Sequence, residues 1–127
     1  MVLLRFEPET TKLTEYELKL VPIVVNILKS RLGRENAITN NNLVNRMSKL
    51  GFSSMTPERM RKLINHIRLY DLLSECLVAS SKGYYISNDE KEISDYIDSL
   101  RGREEAIRAV RLALEAQLGR LEEGQLE

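Results

Sequence analysis

Residues 56–86 read TPERMRKLINHIRLYDLLSECLVASSKGYYI, and this stretch decides the fold. Thr56 is a favourable N-cap, and Pro57 suits the first position of a helix. Four apolar residues then recur at helical spacing and form one face: Met60, Leu63, Ile64 and Ile67. The pattern predicts a helix over residues 56–70 with a polar outer face that is rich in hydrogen-bond donors.

Two short β-prone runs follow that helix, at residues 77–80 and 84–86. The three residues between them, Ser81-Lys82-Gly83, form a loop that contains glycine, and this combination predicts a β-hairpin. Because successive side chains of a strand alternate in direction, Tyr84 and Tyr85 point to opposite sides. We therefore expect one tyrosine in the core and the other exposed.

Upstream of this stretch, a second helix is predicted to follow a short extended segment at residues 37–39 and to end at about residue 50. Any of the four polar residues at 39–42 could cap its start. Its apolar residues form one stripe: Leu43, Val44, Met47 and Leu50. Gly51 follows where a left-handed C-terminal cap is expected, and Phe52 can pack back over the last turn. The second helix and the helix at residues 56–70 are thus joined by a short turn.

A first helix begins at Thr14, which forms a capping box with Glu17, and is predicted to run to about residue 31, before Gly33. Its apolar residues share one face: Leu20, Val21, Val24, Ile27 and Leu28. Pro22 removes a backbone donor inside this segment. Either the helix bends at Pro22, or Pro22 begins a second helical segment.

A long acidic helix closes the chain from about residue 89. Its apolar residues recur every seven positions: Ile93, Leu100, Ile107, Leu114 and Leu121. Gly102 is a point at which this helix could break. The helix either folds back on its own domain or pairs with a second copy of the chain, and we favour a homodimer through Ile93, Leu100, Ile107 and Leu114.

The residue inventory argues against catalysis and metal binding. Cys76 is the only cysteine and His66 the only histidine, so neither an intramolecular disulfide nor a cysteine–histidine zinc site can form. Cys76 is expected to be a small buried apolar residue, and His66 an ordinary boundary residue. We therefore expect no enzyme activity, no cofactor and no small-molecule substrate.

Charge is distributed unevenly along a chain whose net charge is zero. Residues 43–88 carry seven Lys/Arg against three Asp/Glu, which gives +4, whereas residues 89–127 carry six against eleven, which gives −5. A basic middle suggests a binding face for an anionic partner. Residues 3–6 could form an edge strand, and residues 7–11 read as a connector. Residues 1–7 do not resemble a signal peptide. No stretch approaches the roughly 20 apolar residues of a membrane span, so we expect a soluble cytoplasmic protein.

The order of elements is helix, short strand, helix, turn, helix, hairpin, helix. This order predicts a mainly α protein with a small β-hairpin, namely a winged helix-turn-helix with an N-terminal helix and a long C-terminal helix. Three segments follow from it: an N-terminal segment at 1–35, the winged core at 36–88, and a C-terminal helical segment at 89–127.

Donor-rich side chains on the third helix and at the hairpin tip are the candidate DNA contacts. In a helix-turn-helix protein the second helix of the motif enters the major groove, and a hairpin wing reaches phosphates beside it. Arginine and lysine can donate to guanine or phosphate, and asparagine can pair with adenine. The candidates are Arg59, Arg61, Lys62, Asn65, Arg68 and Lys82.

Four runs of sequence resemble small winged-helix proteins of bacteriophages and integrated elements. They are residues 37–50, Ile64-Asn65-His66-Ile67-Arg68, residues 79–86 and residues 96–107, so that the resemblance covers roughly residues 36–115. Its most specific part is the wing, Ser81-Lys82-Gly83-Tyr84-Tyr85-Ile86. The resemblance implies a DNA-binding module in phage replication or gene control, with no catalytic activity.

Two functions remain open on the sequence. The first is non-catalytic binding of double-stranded DNA through residues 56–70 and 77–86, as a transcriptional regulator or a replication accessory. The second is a protein-interaction module, because winged helices are also used for assembly and fold alone does not fix function. In the second case the acidic C-terminal helix would be the working surface.

Overall fold

A computed structural model describes residues 12–126 of the chain, with side chains up to residue 124. The edge strand considered for residues 3–6 lies outside these residues. The chain divides into two compact units, one up to Glu90 and one from Lys91. Among the described residues, the first unit contains three α-helices and a two-stranded antiparallel hairpin, and the second is helical. The predicted class, mainly helical with a small β-hairpin, is confirmed.

Helix α1 (Glu15–Leu28) begins at the predicted capping box. The Thr14 hydroxyl accepts a hydrogen bond from the Glu17 N–H at 3.1 Å, and the Glu17 carboxylate accepts one from the Thr14 N–H at 2.9 Å. One helical element continues through Pro22, which lies on the exposed side. The separate second segment considered at Pro22 therefore does not form.

α1 ends at Leu28 rather than near residue 31, because the backbone that follows pairs with the hairpin. The Ile86 N–H donates to the Arg31 carbonyl at 2.7 Å, and the Gly33 N–H donates to the Ile86 carbonyl at 3.0 Å. A backbone group satisfied by this pairing is not available to extend the helix. The prediction of the helix end is wrong because Arg31 and Gly33 pair with Ile86, which lies more than fifty positions later and is not part of any local pattern.

The segment after α1 pairs with one edge of the hairpin, at Tyr84 and Ile86. A short 3-10 turn (Arg34–Asn36) leads to Ile38, which pairs with Tyr84. The Ile38 N–H donates to the Tyr84 carbonyl at 3.0 Å, and the Tyr84 N–H donates to the Ile38 carbonyl at 2.8 Å. The extended segment predicted at residues 37–39 is confirmed by this reciprocal pair.

Helix α2 (Asn40–Lys49) is capped by Thr39, one of the four candidates at residues 39–42, and is followed by the left-handed glycine predicted at its end. The Thr39 hydroxyl accepts a backbone N–H of the first turn at 3.1 Å. At the other end, Gly51 has a φ of 102°, in the left-handed region expected for it. The Phe52 N–H then donates to the Met47 carbonyl at 2.9 Å, which closes the last turn.

The apolar stripe predicted for α2 is confirmed except at its last position. Leu43 and Met47 are fully buried, and Val44 packs against the same core. Leu50, however, is 56% exposed. It is the C-cap residue of α2, with a φ of −82° and a ψ of 0°, so its backbone has left the helix whose spacing the prediction assumed.

Helix α3 (Pro57–Leu69) follows α2 after a turn. The Thr56 hydroxyl accepts a hydrogen bond from the Arg59 N–H at 3.1 Å, and Pro57 takes the first helical position, as predicted. The four residues of its predicted apolar stripe are at most 1% exposed: Met60, Leu63, Ile64 and Ile67. Beyond the helix the chain reverses at Asp71, whose φ is 53°.

Strands β1 (Cys76–Ser80) and β2 (Gly83–Ser87) pair antiparallel and leave a two-residue loop. The three-residue loop predicted from the sequence is wrong, because Gly83 pairs with Ser80 inside the ladder. Gly83 has a φ of 116°, and a Cβ built on it would overlap the carbonyl group of Ile38. The close approach of Ile38 therefore requires a residue without a side chain at this position.

Two side-chain expectations for the hairpin are wrong. Cys76 is exposed, since it begins β1 at the open end of the ladder, opposite Ser87. Neither tyrosine is exposed: Tyr85 is buried and Tyr84 is half-buried. Tyr84 packs against the core of the first unit.

A single apolar core fills the first unit, and it draws residues from both predicted segments, 1–35 and 36–88. Its fully buried members on the three helices are Leu20, Val24, Leu28, Leu43, Met47, Met60, Leu63, Ile64 and Ile67. Leu77 and Ile86 add the inner face of the hairpin. The core thus fixes α3 and the hairpin to the same support.

Helix α4 (Glu90–Leu126) is one continuous element of 37 residues. At a rise of 1.5 Å per residue this corresponds to a length of about 55 Å. The helix continues through Gly102, so the break considered there does not occur. Ion pairs between neighbouring turns line its surface, including Arg111 with Glu115 at 2.9 Å.

Candidate nucleic-acid interface

The outer face of α3 presents Arg61 and Asn65, and both side chains are exposed. Within residues 12–124, neither side chain has a hydrogen bond or an ion pair with the rest of the chain. A guanidinium and an amide with open donors can bind base edges or phosphate oxygens. These two residues fit the contact role that the sequence predicts for them.

Arg59 and Lys62, also predicted DNA contacts, both pair with a buried carboxylate on α1. Arg59 Nε donates to Glu17 Oε2 at 3.0 Å, and Lys62 Nζ donates to Glu17 Oε1 at 2.9 Å. The Glu17 side chain is 4% exposed, whereas those of Arg59 and Lys62 are 32% and 24% exposed. The pairs join α1 to α3, and direct DNA contact by these two cations stays a prediction.

Four surrounding donors and charges keep Glu17 ionised. Burial alone would raise the pKa of this carboxyl, because a charge is disfavoured away from water. The hydrogen bond from the Thr14 backbone, the hydrogen bonds from Lys62 and Arg59, and the charge of Lys62 act in the opposite direction. The net result is a Glu17 pKa below the ordinary glutamate value.

The Arg59 guanidinium has further contacts at the start of α3. Its Nη1 donates to the Ser54 carbonyl at 3.2 Å, and its Cζ lies 5.6 Å from the centre of the Tyr16 ring. The Tyr16 hydroxyl and the Ser54 hydroxyl are 2.9 Å apart and form a hydrogen bond. Arg59 therefore fastens the turn before α3 to α1.

Arg68, a predicted DNA contact, lies half-buried between α3 and the hairpin. Its Nε donates to the Leu77 carbonyl at 3.0 Å, and its Cζ lies 5.7 Å from the centre of the Tyr84 ring. These contacts direct the guanidinium toward the hairpin. Arg68 thus connects the end of α3 to β1, and a contact with DNA stays a prediction for it as well.

The hairpin tip carries Lys82, whose side chain is exposed and has no partner within the described residues. The Lys82 N–H donates to the Ser80 hydroxyl at 3.1 Å, which shapes the two-residue loop. Arg34 approaches the same tip, with Nη2 at 3.5 Å from the Ser81 hydroxyl. Two cations therefore lie at one end of the hairpin, where the sequence predicts only Lys82.

Tyr84 and Asn40 connect the hairpin to α2 and α3. The Tyr84 hydroxyl donates to Asn40 Oδ1 at 3.1 Å, and Asn40 Nδ2 donates to the Pro57 carbonyl at 3.1 Å. This chain of polar contacts links β2 to the first turn of α2 and then to the first turn of α3. The hairpin, α2 and α3 are thereby held in one arrangement.

Glu17 and the basic residues of α2 are the functional candidates that sequence reasoning missed. Glu17 carries a visible capping pattern, but its cation partners lie 42 and 45 positions away, and no local pattern reveals them. Arg46 and Lys49 could have been found, since helical spacing turns them away from the apolar stripe of α2. Both are exposed and have no side-chain partner among the described residues.

A metal site and a role for His66 are the remaining possibilities to compare with the structure. Among residues 12–124, no group of three or more His, Cys, Asp or Glu side chains is arranged to hold a metal ion. His66 is half-buried on the flank of α3, with its ring centre 4.6 Å from that of Tyr70. No described helix is both long and apolar enough to cross a membrane.

An exposed apolar row runs along α4, in the second unit. Of the four predicted dimerisation residues, Ile93 is half-buried, and the other three are exposed: Leu100, Ile107 and Leu114. Val110 and Leu118 are also exposed and lie at intervening turns, so the row is fuller than a strict spacing of seven suggests. Pairing through this row stays a prediction.

Comparison of the sequence with protein-family models, with curated proteins and with solved structures gives no match.

Proposed function

We propose that this protein binds double-stranded DNA as a winged helix-turn-helix module without catalysing a reaction. α3 acts as the recognition helix in the major groove, and the β1–β2 hairpin acts as the wing. The observation that carries the proposal is the polar connection from Tyr84 through Asn40 to Pro57, together with the Ile38–Tyr84 strand pair. These contacts give the wing and α3 a fixed spacing, as simultaneous contact with a groove and its flanking phosphates requires.

Separate roles follow for the candidate residues. Arg61 and Asn65 read base edges, and Lys82 contacts a phosphate, because these three side chains are exposed and keep their donors open. Arg59, Lys62 and Arg68 have a different main role, since each already donates to an acceptor within the chain. They orient α3 relative to α1 and the hairpin, and add positive charge near the groove.

The charge distribution favours modest, salt-dependent affinity. Residues 43–88 carry +4, but Glu17 offsets part of this charge beside α3. Affinity for DNA grows with the number of phosphates neutralised, so few contacts give a shallow dependence on salt. Stable occupancy then depends on base contacts or on two modules that act together. A role as a transcriptional regulator or replication accessory of the phage or mobile-element type agrees with this balance.

The first test is fluorescence anisotropy of the full chain with a labelled random duplex, titrated over a series of salt concentrations. We expect the logarithm of affinity to fall linearly with the logarithm of salt concentration, and Lys82→Ala to reduce that slope by about 1. Arg108→Ala is the matched control, since Arg108 is an exposed cation of α4. An unchanged slope in Lys82→Ala would remove the wing from the interface.

The recognition helix needs a site obtained by selection from random sequences. On that site, Arg61→Ala/Asn65→Ala should weaken binding about tenfold or more, because one bidentate base contact contributes about 1–3 kcal/mol of discrimination. Arg108→Ala/Asn26→Ala removes the same two side-chain types from α4 and α1 and should have no effect. Failure to select any site, together with no binding at low salt, would contradict the proposal.

Self-association through α4 is a second candidate function, favoured by the exposed row that includes Ile107, Val110 and Leu114. Two copies that pair along this row would bury side chains that are now in contact with water. A dimer would also present two recognition helices to two half-sites about one turn of DNA apart. Assembly and DNA binding are therefore compatible uses of one chain.

A further inference from the structure

A cleft of about 550 Å³ lies between the segment that follows α1 and the side of α2, outside the recognition helix and the wing. Its polar lining consists of Arg31, Asn42, Asn45, Arg46 and Lys49. Asn40, which contacts the first turn of α3, lies on a different side of α2 from Asn42 and Lys49 by helical geometry. The cleft is thus separate from the face assigned to base contacts.

The lining of this cleft carries positive charge that no acidic lining residue neutralises. Three cations contribute to it, and no lining residue is acidic. Arg46 and Lys49 are exposed and form no ion pair within the described residues. Like charges that share a concave surface repel one another, and an anion placed between them relieves this repulsion.

Arg31, which also lines the cleft, has a hydrogen-bond donor without an acceptor. Its Nη1 donates to the Asn36 carbonyl at 3.3 Å, and its Nε is buried without an acceptor. A guanidinium has five N–H donors, and a buried donor without a partner costs free energy. The same residue is held in place by its backbone, because the Arg31 carbonyl accepts from the Ile86 N–H.

We infer that this cleft binds a phosphate group. The guanidinium groups of Arg31 and Arg46 suit the oxygens of phosphate, and Lys49 supplies a third positive charge. The side-chain amides of Asn42 and Asn45 add neutral donors from the same helix. Three cations match the multiple charge of a phosphoryl group better than the single charge of a carboxylate.

The phosphate oxygens have two sources, the backbone of duplex DNA or a small phosphorylated molecule. The inference does not depend on DNA binding, since the cleft is defined by its own lining. If the source is DNA, the cleft extends the footprint along the backbone beyond α3 and the wing. If the source is a small molecule, the cleft is a separate ligand site on the same unit.

The probe for the test is inorganic pyrophosphate, titrated into the full chain at constant ionic strength and followed by ¹⁵N NMR. We expect saturable shifts of the Asn42 and Asn45 side-chain amides. In Arg46→Gln/Lys49→Gln, binding should weaken at least tenfold; both residues are exposed, so the fold is retained. Arg108→Gln/Arg120→Gln removes two exposed cations from α4 as the matched control. Non-saturable shifts, or equal binding by the two double variants, would overturn the inference.

A second arm distinguishes the sources by measuring DNA affinity of the same two variants. Weaker DNA binding by Arg46→Gln/Lys49→Gln, beyond that of the control, assigns the cleft to backbone phosphates. Unchanged DNA binding with lost pyrophosphate binding assigns it to a small phosphorylated molecule. If the chain binds no DNA at all, the pyrophosphate titration still supports or overturns the site, so the two proposals fail separately.

Discussion

Glu17 is the residue on which the relation between α1 and α3 depends. It serves the capping box of α1 through Thr14 and accepts from Arg59 and Lys62, while its own side chain is almost fully buried. A buried carboxylate is tolerated because every oxygen has a donor. One side chain thus begins one helix and orients another.

Removal of Glu17 should destabilise the fold. Glu17→Ala removes half of the capping box and leaves two cations without their acceptor, so we expect a loss of about 2 kcal/mol in the free energy of unfolding. Urea denaturation measures this loss. Glu15→Ala, an exposed acid in the same turn, is the control and should change stability by much less. Equal losses would mean that the pairs contribute nothing.

The contribution of Glu17 should also depend on pH. Because folding lowers its pKa, the ionised side chain stabilises the folded state above the pKa of the unfolded chain. That stabilisation declines as the pH falls through the unfolded value and then through the lower folded value. The stability difference between the natural chain and Glu17→Gln should therefore shrink in acid. A constant difference between neutral pH and pH 3 would contradict the lowered pKa.

Two glycines with positive φ angles allow backbone strain to be separated from overlap. Nothing lies within 4 Å of a Cβ built on Gly51, so Gly51→Ala should cost only the conformational term, about 1 kcal/mol. Gly83→Ala adds an overlap with the Ile38 carbonyl and should cost about 2–3 kcal/mol. Denaturation midpoints of the two variants give the comparison, and equal losses would show that the Ile38 strand moves aside.

At the scale of elements, local patterns predict helix starts well and helix ends less well. The caps at Thr14 and Thr56 need only neighbours in sequence, and both are confirmed; the cap of α2 is Thr39, one of the four candidates at residues 39–42. The end of α1 depends instead on Ile86, more than fifty positions later, and no local pattern contains that information. The apolar stripe of α3 was predicted correctly because it depends only on local helical spacing. The pairing of its cations was missed because their acceptor lies far away in sequence.

The candidate site was predictable in its location but not in its division of roles. Helical spacing gives the outer face of α3, and Arg61 and Asn65 follow from it. Arg59 and Lys62 pair with a carboxylate on α1 because of the way α1 and α3 pack together. The local sequence of either helix does not reveal this packing. The predictions that Cys76 and Leu50 are buried are wrong for a related reason. Each residue lies at the end of an element, where the repeating pattern stops.

α4 offers a test of helix propensity alone. Gly102 lies inside the helix, and nothing lies within 4 Å of the place that a Cβ would take there, so Gly102→Ala should stabilise the helix by about 1 kcal/mol. Circular dichroism during heating measures the gain in helix. Ala109→Gly, the reverse change two turns later on the same side of the helix, should produce a loss of similar size. No change in either variant would mean that interactions other than intrinsic helix propensity determine the stability of α4.

At the scale of the whole molecule, opposite charges are separated along the chain. The first unit contains the basic segment at residues 43–88, whereas α4 carries nine acidic residues against six basic ones, together with an apolar row. The zero net charge therefore describes neither unit. The proposed binding of an anionic partner and the proposed pairing of copies involve different residues, so substitutions can test each without changing the other.

Pairing of copies through α4 can be tested by sedimentation equilibrium. Ile107→Glu/Leu114→Glu places two charges in the apolar row and should convert a dimer to a monomer at micromolar concentration. Leu112→Glu is the control, because Leu112 is exposed on the same helix but lies outside the row by helical geometry. A natural chain that is monomeric at all concentrations would exclude the dimer.

The reciprocal backbone pair between Ile38 and Tyr84 has a consequence for hydrogen exchange. Each amide proton of this pair is protected by the other strand, and the Ile86 amide is protected by Arg31 in the same row. None of these protons can exchange with solvent unless the hairpin separates from the segment before α2. The three amides should therefore exchange at one common rate, and a ligand that binds the hairpin should slow the exchange of all three together.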